Sequence, residues 1–128
     1  MLTRTFCIIM GVGILSSPAL GQQRPGWPII KDFGGAVPRN EGRWITIADY
    51  PINALRKGHE GNVVVAFDIT AKGRAENCVV EVSSGVISLD QVPCRLIEQR
   101  ARFKPARGEG DAPAETKARY SVAFWLPD

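Results

Sequence analysis

The clearest hydrophobic pattern in the chain is a pair of alternating runs on either side of a short turn. Residues 63–70 place valine, phenylalanine and isoleucine at every second position, and residues 75–82 form a second run. Alternation of this kind predicts β-strands with one buried face, because successive side chains of a strand point to opposite sides. Residues 71–74 contain Gly73, which can adopt a positive φ, so the two runs predict an antiparallel hairpin.

Two amphipathic stretches predict helices. The first helix is expected to begin at about Pro51 and to be ended by Gly58 and Gly61, with Ile52, Leu55 and His59 on one side. The second is expected to begin near Asp90 and to be stopped by Pro105.

A short β-prone run at residues 44–47 precedes the first helix, and a long alternating run at residues 116–126 ends the chain. The predicted order is therefore strand, helix, strand, strand, helix, strand. This order predicts an α+β fold, a two-layer sandwich in which a small antiparallel sheet of about three main strands is packed by two helices.

The first residues have the layout of a secretory signal peptide. Arg4 precedes an apolar stretch from Phe6 to Leu15, and Ala19 and Gly21 are small residues suited to cleavage before Gln22. The alternative is an uncleaved segment that anchors the protein to the inner membrane, although a spanning helix needs roughly twenty apolar residues.

Three regions follow from this interpretation. We expect residues 1–21 to be a signal peptide, residues 22–43 to be an extended leader rich in proline and glycine, and residues 44–128 to be one small folded domain. The expected location is an oxidising compartment outside the cytoplasm.

Two cysteines remain after the expected cleavage, Cys78 in the second hairpin strand and Cys94 on the inner face of the second helix. In an oxidising compartment two cysteines allow one pairing. The bond would close a loop of about 17 residues and would contribute about 3 kcal/mol. The alternative is a pair of buried free thiols.

The charged and nucleophilic residues do not form a catalytic set. His59 is the single histidine, which excludes a histidine-based metal cluster, and Glu76 and Glu81 lie on opposite faces of one strand. The net charge of +3 is too small and scattered to indicate nucleic-acid binding. We therefore expect a protein that is not an enzyme, with no metal, cofactor, small-molecule substrate or nucleic-acid partner.

The densest group of positive charge lies in and after the second helix. It consists of Arg95, Arg100, Arg102, Lys104 and Arg107. This basic patch is either a solvated helix face or a surface for an anionic partner.

The order and spacing of several short motifs resemble the TonB C-terminal domain family. The stretch DYPINALRKGHEGNVVVAFDITAKGRAENCVVEVSSG contains the family's Tyr-Pro at residues 50–51, its helix-closing glycine and its strand–turn–strand hairpin. RFKPAR, with Phe103-Lys104-Pro105, matches the signature at the end of the family's second helix, and a last strand follows. The resemblance covers about residues 44–127.

The resemblance implies a periplasmic module that binds outer-membrane TonB-dependent transporters and is linked to energy-dependent transport. A transporter segment would add as a strand to the sheet edge formed by the last strand, since an open edge offers unpaired N–H and C=O groups. The implied partner-binding residues are Arg119, Tyr120, Ser121, Val122, Ala123, Phe124 and Trp125, together with Tyr50 and Asn53. The same edge could support a homodimer.

A complete energy transducer of this family has a membrane-spanning helix bearing a histidine and a long proline-rich spacer. We expect neither feature in this sequence, since the apolar stretch from Phe6 to Leu15 is short and contains no histidine.

The alternative function is an envelope-structural protein that binds peptidoglycan or another anionic partner through the basic helix face. Strong salt dependence of binding would favour this alternative.

Overall fold

The computed structural model describes residues 26–126, and the expected signal peptide lies outside this range. The sheet is built on the predicted hairpin. Strand β3 (Gly61–Ile69) pairs antiparallel with β4 (Ala75–Val82), and Ile69 lies opposite Ala75 beside the turn. Gly73 in the turn has φ +83°, and a Cβ there would overlap the carbonyl oxygen of Phe103. The predicted hairpin is confirmed, together with its requirement for glycine.

The other side of β3 pairs with the last long strand, β8 (Thr116–Phe124), which runs antiparallel from Gly61↔Phe124 to Ile69↔Thr116. A two-residue strand from the leader, β1 (Lys31–Asp32), adds to the far side of β8. The order across the sheet is therefore β1-β8-β3-β4. The predicted fold class is confirmed, with one strand more in the sheet than the three main strands expected.

Two further ladders are short. Strand β2 (Val37–Pro38) pairs with β5 (Phe103–Lys104), and β6 (Ala106–Arg107) pairs with β7 (Pro113–Ala114). The first ladder ties the second half of the leader to the segment that follows the last helix.

Within residues 26–126, three α-helices lie between the strands. They are α1 (Ile52–Lys57), α2 (Ile87–Asp90) and α3 (Val92–Arg100). Gly58 ends α1 in the left-handed conformation, as the sequence predicts. On α1, however, Ala54 is the buried residue, whereas Ile52 is 56% exposed and Leu55 is 38% exposed.

The Cys78–Cys94 disulfide is confirmed. It joins β4 to α3 with the two Cα atoms 5.3 Å apart, within the usual range for such a bond. The backbone N–H of Cys78 also donates to the carboxylate of Glu98 on α3 at 2.8 Å. Both links hold the helix against the outer strand of the sheet.

The core fills the space between the sheet and the helices. Inward residues of β3 and β8 meet apolar residues of α2 and α3, and the fully buried members include Val63, Val65, Ile69, Leu89, Ile97, Val122 and Phe124. Burial of each such aliphatic or aromatic side chain stabilises the fold by about 1.5–3 kcal/mol.

The prediction of a strand at residues 44–47 is wrong. Two short 3₁₀ turns, Glu41–Arg43 and Ile47–Asp49, flank a buried Trp44 instead. The Trp44 indole donates to Asn40 at 2.9 Å, and Thr46 and Asp49 close a capping box. These local hydrogen bonds outweigh the β-propensity of the aromatic and β-branched residues.

The second predicted helix also ends earlier than expected, at Arg100 rather than at Pro105. After Arg100 the chain becomes extended. The backbone N–H of Arg102 donates to the side-chain oxygen of Asn40, and β5 then pairs with β2. The residue before a proline also favours an extended conformation. Arg102, Lys104 and Arg107 therefore do not lie on the helix.

Across residues 26–126, no helix is both long enough and apolar enough to cross a bilayer.

Candidate partner-binding edge

The edge of β8 that the sequence leaves open is paired in the structure with the chain's own leader. Lys31 lies opposite Tyr120 and Asp32 opposite Arg119. The backbone N–H of Ser121 donates to the carbonyl oxygen of Ile30 at 2.8 Å. The expectation of an open edge is therefore wrong for residues 119–121, because the leader supplies the main-chain partners that an exposed strand edge needs.

Gly34 marks the point where the leader leaves this edge. The Thr116 hydroxyl donates to the Gly34 carbonyl oxygen at 2.9 Å, and the Gly34 N–H donates to the Asp32 carboxylate at 3.0 Å. Gly34 has φ +58°, and a Cβ would overlap Thr116 and lie 2.6 Å from the carbonyl oxygen of Lys117. This close approach requires glycine.

Phe33 anchors the leader in a cluster of buried rings. Its ring centroid lies 5.4 Å from that of Phe103, 5.8 Å from Tyr120 and 5.9 Å from Trp44. We call the site formed by Trp44, Phe103 and Tyr120 the aromatic socket. Each of its three side chains is at most 5% exposed, and aromatic pairs at these separations are stabilising beyond the area they bury.

A carboxylate lies at the rim of the aromatic socket. Glu41 accepts a hydrogen bond from the Tyr120 hydroxyl at 2.9 Å and forms an ion pair with Lys31 at 2.7 Å. Burial, and then the neighbouring Glu41 carboxylate, raise the pKa of Tyr120 far above its usual range. The phenol is therefore a neutral donor at physiological pH.

The partner-binding residues predicted on the last strand have different surroundings. Val122 and Phe124 point into the core, while Ser121 and Ala123 are buried on the opposite face. Arg119 is exposed, and its Nε donates to the Glu81 carboxylate of β4 at 2.7 Å. Trp125 follows the strand and is half-buried.

Tyr50 and Asn53 lie away from the leader strand. Tyr50 is buried, its hydroxyl donates to the carbonyl oxygen of His59, and its ring stands edge-on to Phe124 at 5.5 Å. Asn53 is exposed and, with Lys57 and Ile87, lines a shallow groove of about 410 Å³ between α1 and α2. Tyr50 therefore packs against the end of β8 at Phe124, and Asn53 lines a groove formed by other segments.

The basic patch is divided. Arg100 contacts both carboxylate oxygens of Asp49, at 2.8 and 3.1 Å, and donates to the Trp44 carbonyl oxygen. The hydrogen bond from Arg100 lowers the pKa of Asp49. Arg102 donates to carbonyl oxygens of the helix end, and Arg107 donates to that of Asp111. Three of the five side chains thus make contacts within the chain, while Arg95 and Lys104 are exposed.

The sequence did not identify Ile30, Phe33 or Glu41 as parts of this site. Ile30 and Phe33 are two of several large apolar residues in the leader, which also contains Trp27, Ile29 and Val37, so the sequence alone does not single them out. The segments that the structure describes contain no group of three or more acidic, histidine or cysteine residues placed to bind a metal.

Comparison with known proteins agrees with this architecture. The family model for the C-terminal region of the Gram-negative bacterial TonB protein matches residues 48–126. The solution NMR structure of the Pseudomonas aeruginosa TonB C-terminal domain superposes with a TM-score of 0.58 at 26% identity, over 73% of this chain and 89% of that one. No curated protein matches the sequence significantly. Because the family model spans well over half of the chain, this protein belongs to the TonB C-terminal domain family.

Proposed function

We propose that this protein is a periplasmic binding module that engages an outer-membrane TonB-dependent transporter by strand addition along β8. Domains of this family are generally associated with TonB-dependent transport and act as binding modules. The transporter segment would occupy the edge now held by residues 30–32.

The leader itself is the observation that carries this proposal. It supports the proposal, because residues 30–32 pair with this edge through a main-chain contact at Ser121 and an antiparallel register at residues 119–120. Strand addition of this kind depends mainly on main-chain hydrogen bonds, so a second segment can use the same groups.

Binding then requires the leader to leave. The leader is an internal competitor, and the apparent dissociation constant rises by the reciprocal of the fraction of molecules with a vacant edge. The paired part of β1 is only two residues long, so its main-chain contribution is small compared with that of a longer added strand. A homodimer through this edge would need the same vacancy.

The test compares two glycine variants of the leader. Gly34→Ala introduces a Cβ against Thr116 and the Lys117 carbonyl, whereas Gly26→Ala, also at positive φ, has no atom within 4 Å of the new Cβ. A synthetic copy of a transporter's N-terminal periplasmic segment is titrated into each protein. We expect Gly34→Ala to bind the segment at least about threefold more tightly, since its edge is vacant more often.

Gly26→Ala should bind the segment with the affinity of the unaltered protein. Equal affinity in all three proteins, or binding that leaves the NMR amide signals of residues 117–123 unmoved, would contradict strand addition at this edge.

The location follows from the same proposal. Family domains are periplasmic, and the layout of residues 1–21 supports export with cleavage before Gln22. Intact-mass measurement of the exported protein tests this directly, because an anchored form would retain those residues.

A further inference from the structure

We infer that the edge of β8 selects its incoming strand by side-chain chemistry, and that it takes an extended segment with a basic residue two positions before an aromatic residue, followed by glycine. This inference rests on the proposed function, since it names the class of segment that the edge accepts. Lys31, Phe33 and Gly34 are the internal example of that pattern.

The pleat of the leader strand separates two kinds of position. Successive side chains of a strand alternate between faces, so Lys31 and Phe33 point to one side and Asp32 to the other. The contacts agree, because Lys31 and Phe33 meet Glu41 and the aromatic socket, whereas the Asp32 carboxylate accepts the Gly34 N–H. The domain therefore contacts the side chains of Lys31 and Phe33 but not that of Asp32, which lies between them.

The aromatic socket demands a ring. Three buried rings from three separate segments surround Phe33 at 5.4–5.9 Å, with tilted, stacked and edge-on geometries. A strand that lacked an aromatic side chain at this position would remove one ring contact from each of Trp44, Phe103 and Tyr120, and lost packing of this kind is costly in an ordered core.

The rim of the aromatic socket favours a cation. Glu41 already accepts the hydrogen bond of the neutral Tyr120 phenol, and Lys31 balances its charge at 2.7 Å. An acidic residue in place of Lys31 would face this carboxylate directly, and like charges at such a distance repel. The preference is moderate because the Lys31 side chain is 47% exposed.

The position after the aromatic residue, occupied by Gly34 in the leader, has room only for glycine. The segment passes close to Thr116 and the Lys117 carbonyl at Gly34, where a Cβ has no room and φ is positive. A segment that follows the same path past the aromatic socket needs glycine there.

The test uses peptides as the incoming strand. The Phe33→Ala protein, whose aromatic socket has lost its internal occupant, is titrated with a synthetic peptide copying residues 28–36. The NMR signals of the Trp44 indole N–H and the Tyr120 ring report occupancy of the socket. Three variant peptides carry Phe33→Ala, Lys31→Glu or the matched control Asp32→Ala.

We expect the parent peptide to bind and to move both reporter signals. Phe33→Ala should weaken the peptide at least about tenfold and Lys31→Glu about three- to tenfold at low salt, whereas Asp32→Ala should stay within about twofold. The Gly34→Ala protein, which keeps every residue of the aromatic socket, gives the same ranking independently of any effect of Phe33→Ala on folding.

Equal affinities of the parent and Phe33→Ala peptides would overturn the inference, as would binding that leaves Trp44 and Tyr120 unmoved. If transporter segments bind along β8 while the peptide ranking is flat, the inference fails and the proposed function stands. If the ranking holds while no transporter segment binds, the inference stands and the proposed function fails.

Discussion

The backbone N–H of Ser121 donates to the carbonyl oxygen of Ile30 at 2.8 Å, and the hydroxyl of Ser121 accepts the backbone N–H of Ile30 at the same distance. One residue of the last strand thus satisfies both main-chain groups of a leader residue 91 positions earlier. This pair closes the edge at which we propose that a transporter segment adds, and several measurable consequences depend on it.

The first prediction concerns the leader alone. Gly34→Ala should detach the leader strand, because the new Cβ overlaps Thr116. Without a partner present, the amide hydrogen of Ile30 should then exchange at least about tenfold faster, since its exchange requires the leader to open. Gly26→Ala is the control and should leave that rate unchanged. Unchanged exchange in Gly34→Ala would mean that the leader tolerates the side chain.

The second prediction concerns the ion pair between Asp49 and Arg100. Arg100→Ala should lower the free energy of unfolding by about 1–2 kcal/mol, because it removes two charge-assisted hydrogen bonds and leaves Asp49 partly buried. Chemical denaturation measures the loss. Arg95→Ala, an exposed position on the same helix, should change stability by less than about 0.5 kcal/mol.

This pair also makes stability depend on pH. The folded state lowers the pKa of Asp49, so its contribution is fully present above the unfolded pKa of about 3.9 and is lost as the pH falls through the folded pKa. Asp49→Asn should therefore reduce stability at neutral pH and flatten its decline below about pH 4. A decline as steep as in the unaltered protein would assign the acid sensitivity to other carboxylates.

The third prediction concerns the Cys78–Cys94 disulfide. The bond spans 16 positions in sequence, and reducing it should lower stability by about 3 kcal/mol, which corresponds to a fall in Tm of about 10–20 °C for a domain of this size. Thermal unfolding with and without reductant measures the difference. A double Cys78→Ala, Cys94→Ala variant should match the reduced protein and show no response to reductant.

The fourth prediction concerns the hairpin turn. Gly73→Ala should destabilise the domain by about 2 kcal/mol or more, because its φ is +83° and its Cβ would overlap the Phe103 carbonyl oxygen. Gly110→Ala is the matched control, since it also has a positive φ but no atom within 4 Å of the Cβ. Comparable losses in the two variants would show that backbone strain, rather than the contact with Phe103, sets the cost.

The sequence predicts the long elements well because their signals are local. Alternation sets the bounds of β4 at Ala75–Val82 and the core face of β3, and glycines mark the hairpin turn and the end of α1. The disulfide could be predicted for a different reason. Only two cysteines remain in the oxidising compartment, so only one pairing is possible.

The leader strand could not be predicted from the sequence, because its pairing is short and depends on main-chain hydrogen bonds. Two residues carry no periodicity, and the partners of Ile30 and Phe33 lie about 70–90 positions away. Around Trp44 the error is the opposite one, because a strand was predicted where none forms. Local hydrogen bonds to Asn40 and within the capping box override the β-propensity of this segment. Long-range contacts therefore decide the leader strand, whereas local hydrogen bonds decide the Trp44 region.

Amide hydrogen exchange during titration with the transporter segment tests the central claim most directly. If the segment adds to β8 in place of the leader, the Ile30 amide should lose protection in proportion to the bound fraction. The Ser121 amide should stay protected, because a new strand replaces its partner. Full retention of Ile30 protection at a saturating concentration of bound segment would show that binding does not use this edge, and would contradict the account.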